Sequence, residues 1–291
     1  MNHRFAPNEL SPSTLALLSR RGVRETLAGL GLRPSRRLGQ SFLVEPAVVF
    51  HILKAADLDP QDAVLEVGPG LGVLTGELLR RAGRVVAVEL DRRLAERLRQ
   101  QFRAAPNLAL VEGDILRHDP GTLMGWQPYR VVANLPYAIT SPVLRHLLES
   151  KPAPQRLIVM VQWEVAQRIT AGPPDMSLLA LSVQYYARPE IVVRVPAGCF
   201  TPAPQVDSAV LRLEAVSQPR VDIPAERFFH LVRLAFAHPR QQLGKTLAAG
   251  LGRPRAEVDA ALAAAGVDPT RRPETVGLEE WGRIARGLGV G

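Results

Sequence analysis

Four consecutive residues, Asn134-Leu135-Pro136-Tyr137, follow a short apolar run from Arg130 to Ala133. The Asn134 side-chain oxygen and the Leu135 carbonyl could accept the two N–H groups of an exocyclic amine on an aromatic base. Such a nitrogen is a weak nucleophile, because its lone pair is delocalised into the ring. Acceptors on both N–H groups pull it toward a tetrahedral shape and stabilise the positive charge that develops in attack. Pro136 has a fixed φ and no N–H to compete, and Tyr137 offers a face on which a base can stack. The quartet therefore suits in-line methylation of an amino group, which needs no covalent enzyme intermediate and no metal. A plain Asn-Pro turn is the competing reading, and residues upstream weigh against it.

Those residues are Glu66-Val67-Gly68-Pro69-Gly70-Leu71-Gly72, a glycine turn after an apolar run from Ala63 to Val67. Glycines such as Gly68 and Gly70 permit positive φ and let a ligand touch the backbone. A dinucleotide G-x-G-x-x-G fingerprint would need glycine at position 73 or 75, and the chain has Val73 and Thr75. A nucleoside cofactor other than a dinucleotide is expected, and S-adenosylmethionine is the donor that the quartet's chemistry requires. Glu89 follows the turn by about 20 residues, the usual place for an acid that accepts both ribose hydroxyls. Asp114, after the next apolar run, could receive the adenine amine.

Phe200 opens Phe200-Thr201-Pro202-Ala203-Pro204-Gln205-Val206-Asp207-Ser208, a stiff loop that could bring a second ring over the target base. Extruding a base takes a few kcal/mol, and stacking on aromatic rings returns about 1–3 kcal/mol each. Cys199 could be the nucleophile of a pyrimidine C5-methyltransferase, but that chemistry has no use for the quartet. A small buried thiol is the simpler reading.

The chain's 291 residues and 46% hydrophobic content suit one large domain and a smaller one. A net charge of +8 favours a polyanionic partner. A single cysteine excludes an internal disulfide and fits a reducing cytosol. The six histidines are scattered and no zinc spacing occurs, so no metal is expected. No run has the length of a signal peptide or a membrane span. A cytoplasmic monomer that does not engage a membrane is expected.

Apolar runs at 63–67, 84–89, 108–112, 130–133 and 156–162 alternate with helical patterns, which predicts a parallel sheet covered on both faces. Leu90, Leu94 and Leu98 recur at helical spacing. Ser141-Pro142 predicts a helix start, with Ser141 as cap, running to about Glu149. Runs at 190–195 and 208–213 suit an antiparallel hairpin at the sheet edge. Helical patterns then follow at 224–237, 241–251, 254–265 and 278–288. The expected organisation is a basic N-terminal arm (1–37), an α/β catalytic and cofactor-binding domain (38–216) and a small C-terminal all-α domain (217–291).

From Leu38 to the last helix the chain resembles the ribosomal RNA adenine dimethyltransferases, particularly their bacterial small-subunit branch. The resemblance rests on Leu38-Gly39-Gln40-Ser41-Phe42-Leu43, Glu66 to Gly72, Val88-Glu89-Leu90-Asp91 and Gly113-Asp114. It continues through Asn134 to Tyr137, Leu181-Ser182-Val183-Gln184-Tyr185-Tyr186 and Phe200 to Val210. It implies a Rossmann-like class I methyltransferase sheet followed by the all-α domain. It further implies dimethylation of N6 on two adjacent adenosines in a hairpin near the 3′ end of small-subunit (16S) rRNA, on a 30S assembly particle. Cofactor binding would fall to Ser41, Leu43, Gly68, Glu89, Asp114 and Asn134. The target amine would be held by Asn134, Leu135 and Tyr137, with Phe200 over the base. Ser41 stands where the family usually has asparagine, and Pro239-Arg240-Gln241 stands where it has Arg-Arg-Lys. Arg233, Lys245, Arg253 and Arg255 could take over that RNA grip. A large-subunit rRNA adenine methyltransferase of the macrolide-resistance type, a DNA adenine methyltransferase, and a non-catalytic assembly or transcription factor are the alternatives.

Overall fold

The computed structural model describes residues 10–34 and 40–290, so Arg36, Arg37, Leu38 and Gly39 lie outside the described part. Two compact units emerge, residues 1–166 with 190–215, and residues 167–189 with 216–291.

The first unit is built on the sheet. Its parallel strands are β2 (Ala63–Val67), β3 (Arg84–Glu89), β4 (Leu108–Glu112), β5 (Arg130–Asn134) and β6 (Arg156–Gln162). Every residue of β2 is buried, as expected of a central strand with helices on both faces. β9 (Ser208–Ala215) runs antiparallel to β6, with β7 (Ala187–Val195) beyond it at the edge. The order β4-β3-β2-β5-β6-β9-β7 reverses direction between β2 and β5. A separate two-residue ladder joins β1 (Phe42–Leu43) to β8 (Phe200–Thr201).

Helices α4 (Val73–Leu79) and α5 (Arg92–Gln101) follow β2 and β3. The Asp91 carboxylate caps α5 by accepting from the Arg93 and Leu94 N–H groups. Leu94 and Leu98 are buried as expected, but Leu90 precedes the cap and is 55% exposed. Helix α6 (Pro120–Met124) is one short turn, and helix α7 (Thr140–Leu148) starts one residue before Ser141, with Ile139 at its cap position. Helix α3 (Pro46–Ala56), which periodicity did not single out, is buried along one side.

The described part of the arm carries two helices. Helix α1 (Pro12–Leu17) and helix α2 (Arg20–Gly29) are each capped by a serine, Ser11 and Ser19. Helix α1 is fastened to α4 by Glu77, whose side chain is fully buried. Glu77 accepts from the Ser11 N–H at 2.8 Å and pairs with Arg80 at 3.1 Å and with Arg81. Burial opposes its ionisation, but the hydrogen bonds from Ser11, Thr14 and Arg81 outweigh it and hold the carboxyl below its usual range.

The second unit is helical: α8 (Trp163–Thr170) enters it, followed by α9 (Leu178–Gln184), α10 (Ala225–Phe236), α11 (Leu243–Leu251), α12 (Arg255–Ala264) and α13 (Leu278–Gly287). A boundary at 216/217 is therefore incomplete, because residues 167–189 also belong here. The reason is packing: Tyr185 stacks against Phe228 and Phe229 at 5.0 and 5.1 Å, and its hydroxyl donates to the Ile223 carbonyl. Pro239 lies beyond the end of α10, as its missing N–H requires. Arg253 and Arg255 are engaged with Glu257 and Asp259, whereas Arg233, Arg240 and Lys245 are exposed.

Glu77→Ala strands a buried Arg81 and releases the Ser11 N–H, so it should lower stability by about 3–5 kcal/mol. Urea unfolding measures this, and amide exchange should rise first in residues 12–29.

Candidate active site

The reversal of strand order places the carboxyl ends of β2 and β5 side by side, with Val67 opposite Ala133. Ligands of open α/β sheets bind at such a point. The glycine turn leaves β2 there and the quartet leaves β5. Gly68, Gly70 and Gly72 have φ of +69°, +58° and +82°, conformations that other residues adopt only with strain. A Cβ on Gly68 would lie 3.9 Å from the Asn134 carbonyl and from Pro136. The turn is held from below by Glu89, which accepts the Gly70 N–H at 2.9 Å, and from the side by Arg97, which donates to the Leu71 carbonyl at 2.9 Å.

A cavity of about 250 Å³ opens between the turn and the quartet. Ser41, Leu43, Gly68, Gly70, Glu89, Asn134, Leu135, Pro136 and Tyr137 line it, together with Gln40, Phe42, Val23 of α2 and others. Among the described residues three carboxyls are in its walls, Glu66, Glu89 and Asp91, and no lysine, arginine or histidine is. Burial raises Glu89 above its usual range, against the pull of the Asp91 and Gly70 N–H groups. Glu66 is only 1% exposed, and burial, with the Glu89 charge adding and the nearby Thr75 hydroxyl and N–H opposing, pushes its pKa up to about 8. Glu66 Oε2 and the neighbouring Thr75 Oγ1 are buried without hydrogen-bond partners. These walls fit a nucleoside that carries positive charge, as adenosylmethionine does, and do not fit a pyrophosphate. Glu66, Asp91 and Val23 had no assigned role in the sequence reading. An acid in the middle of an apolar strand was the signal for Glu66, since such residues are rarely buried without a reason.

Two expected residues are elsewhere. Asp114 is not on the cavity wall: its Oδ1 accepts from the Leu116 N–H and caps a short 3₁₀ turn. Phe200 does not cover the quartet, because its ring is fully buried in the core of the first unit. It is the cross-strand partner of Leu43, and both side chains belong to that core, with Leu43 alone of the two also lining the cavity. Burial raises the Cys199 thiol above its usual value, which keeps it out of the nucleophilic thiolate form. Among the described residues no metal-binding cluster occurs, and no helix is long and apolar enough to cross a membrane.

Hydrogen-bond accounting narrows what the quartet can do. The Leu135 N–H donates to the Met160 carbonyl of β6, which pins the quartet's backbone. The Pro136 carbonyl is taken by the Ile139 N–H and the Thr140 hydroxyl. Among the described residues the Asn134 side chain and the Leu135 carbonyl have no hydrogen-bond partner, so two acceptors remain on residues that line the cavity. The Tyr137 hydroxyl is 2.6 Å from the hydroxyl of fully buried Ser208 on β9, a contact that fixes the ring. Around it, Asp207 accepts from Arg194 and from the Ala197 N–H, and Arg194 covers the Trp163 ring at 4.8 Å. Ser208→Ala should lower stability by about 1–3 kcal/mol, because a half-buried phenol loses its partner. Tyr137→Phe combined with Ser208→Ala should be scarcely worse than Ser208→Ala alone; additive losses in a double-mutant cycle would show the pair uncoupled.

The profile of the family "Ribosomal RNA adenine dimethylase" matches residues 32–286. A protein of Dehalococcoides mccartyi called ribosomal RNA small subunit methyltransferase A is 47% identical over 262 residues, 89% of this chain and 90% of its own. A protein of the same name from Moorella thermoacetica is 44% identical over 270 residues, 89% of this chain and 93% of its own. The crystal structure of the 23S rRNA methyltransferase ErmE superposes with a TM-score of 0.70 at 33% identity, covering 85% of this chain and 99% of that one. A dimethyladenosine transferase from Plasmodium falciparum superposes with a TM-score of 0.74 at 22% identity, covering 85% and 97%, and shares the fold. The chain belongs to the ribosomal RNA adenine dimethylase family.

Proposed function

We propose that this chain dimethylates N6 of two adjacent adenosines in a hairpin near the 3′ end of small-subunit ribosomal RNA. Membership of the family makes it an adenosylmethionine-dependent methyltransferase of ribosomal RNA adenines. The proposal adds the small subunit, the paired target in its hairpin, a 30S assembly particle as substrate, and action as a cytoplasmic monomer. The single observation that carries it is a pair of acceptors without a hydrogen-bond partner among the described residues, Asn134 Oδ1 and the Leu135 carbonyl, on residues that line an acid-walled cavity. The small subunit is favoured by relatives of that name, 40–47% identical over about nine-tenths of the chain.

In this reading Ser41, Leu43, Gly68, Gly70, Glu89 and Asn134 hold the cofactor. Glu89 retains lone pairs for ribose hydroxyls after accepting the Gly70 and Asp91 N–H groups. When bound, the cofactor supplies an electrophilic methyl group on a sulfonium. Asn134 and Leu135 take the two N–H groups of an everted adenine, align its nitrogen and stabilise the charge it acquires. Pro136 keeps the Leu135 carbonyl in place without a competing N–H. Tyr137, steadied by Ser208, supports the base. The exposed Arg233, Arg240 and Lys245 of the second unit, with the basic N-terminal segment, would contact phosphates.

The decisive experiment incubates labelled adenosylmethionine with 30S particles from a strain lacking the methylation and maps the modified nucleotides. Label on two adjacent small-subunit adenosines is expected. Label on large-subunit rRNA would favour the reading that the ErmE likeness raises, and no label would favour an assembly factor. Asn134→Ala should reduce transfer by about 10²-fold or more while RNA affinity stays nearly unchanged; equal loss of both would mean that the quartet is not the site. Glu89→Ala should weaken cofactor binding by at least about tenfold, the loss of a charge-assisted hydrogen bond; an unchanged dissociation constant removes its ribose role.

A further inference from the structure

The structure assigns to Glu66, we propose, a charge-sensing role beneath the cofactor: it releases a proton to solvent when a cation fills the cavity and recovers one when the occupant is neutral. This rests on the methyltransferase reading, and it concerns a residue to which that chemistry gives no other task.

Glu66 sits in the central strand β2, opposite Ala87 of β3 and Val132 of β5. It lines the cavity, is 1% exposed, and its Oε2 has no hydrogen-bond partner. The charged groups that line the cavity with it are Glu89 at the end of β3, whose charge acts on it, and Asp91 at the cap of α5, and both are acids. Helix α4 contributes Thr75, which is uncharged. From β5 and from the Gln40–Leu43 segment no charged residue lines the cavity. Among the described residues nothing positive in these walls neutralises Glu66, and a buried carboxylate beside another acid, with one oxygen unpartnered, is unfavourable. The proton that keeps it neutral is therefore set by the occupant of the cavity.

A sulfonium brings the missing positive charge into a region where charges interact strongly. Glu66 then ionises and its proton leaves to solvent. Transfer of the methyl group forms the new nitrogen–carbon bond, breaks the sulfur–carbon bond and leaves an uncharged thioether. The methylated nitrogen loses its own proton to solvent, and Glu66 takes one back. Over a cycle the Glu66 proton cancels. Linkage sets the sign: raising pH through the Glu66 titration deprotonates it, so binding of the cation tightens relative to the neutral product. The site would thus favour donor over spent product increasingly as pH rises toward the raised value near 8, and the preference would level off above it, where Glu66 is ionised whatever fills the cavity.

The test is titration calorimetry on the full chain with adenosylmethionine and with adenosylhomocysteine, in phosphate and in Tris at one pH near neutrality. Running both ligands on wild type and on Glu66→Gln removes the titration of the ligands' own ammonium groups. The wild type should release about 0.5–1 proton more per adenosylmethionine bound than Glu66→Gln does, with no such excess for adenosylhomocysteine. Difference infrared spectra of the wild type give a second reading should the variant fold poorly: a protonated-carboxyl band should vanish on loading with adenosylmethionine and persist with adenosylhomocysteine. Equal proton counts in the two proteins, or an unchanged band, would overturn the proposal while leaving the methyltransferase reading intact. If the wild type binds no adenosylmethionine at millimolar concentration, that reading itself fails and Glu66 loses its role with it.

Discussion

Adjacency of β2 and β5 is the constraint on which the site depends. Their in-register pairing, from Val64 opposite Arg130 to Val67 opposite Ala133, brings two segments nearly 70 residues apart in sequence to one sheet edge. The glycine turn alone would cradle a nucleoside, and the quartet alone would offer two acceptors to an amine. Chemistry between them needs both at contact distance, and the parallel ladder supplies it. Because the order reverses at this point, no crossover helix covers the crevice.

The electrostatics follow from the same placement. Glu66 and Glu89 lie on neighbouring central strands, where helices on both faces exclude water. Burial raises both toward the neutral form, with the Glu89 charge adding at Glu66 and the Asp91 charge at Glu89, and makes the cavity a site for positive charge. Backbone N–H groups of Gly70 and Asp91 stabilise Glu89, so the same acid that can bind a ribose also shapes the glycine turn. Structure and binding are therefore inseparable at Glu89, whereas Glu66 has an oxygen that the fold itself does not use.

Anchors beyond the crevice hold the reacting groups. Met160 on β6 pins the quartet's backbone and Ser208 on β9 its aromatic ring, which gives the antiparallel strand a part in the site. The β1–β8 ladder ties the Ser41–Leu43 segment to the loop that begins at Phe200. On the opposite flank, Glu77 fastens α1, and Val23 of α2 closes one wall of the cavity. The N-terminal segment, expected as an arm, is in its described part a wall of the site.

Much of this was legible in the chain itself. Strand lengths, the glycine turn, Glu89 about 20 residues later and the Asn134–Tyr137 quartet are local patterns, each set by steric or hydrogen-bonding rules acting over a few residues. They determined the α/β class, the donor chemistry and most of the cavity's walls. The exceptions were side chains whose direction depends on distant partners. Phe200 turns inward, into the core it shares with its cross-strand neighbour Leu43, and Asp114 spends an oxygen on a local turn instead of reaching the cavity. Residues 167–189 join the helical unit because Tyr185 finds Phe228 and Phe229, a contact that no local periodicity encodes. Glu66 shows the division most sharply: its identity was plain in the sequence, but only burial between two strands, with no cation among the described walls of the cavity, gives a carboxyl an affinity for its proton at neutral pH.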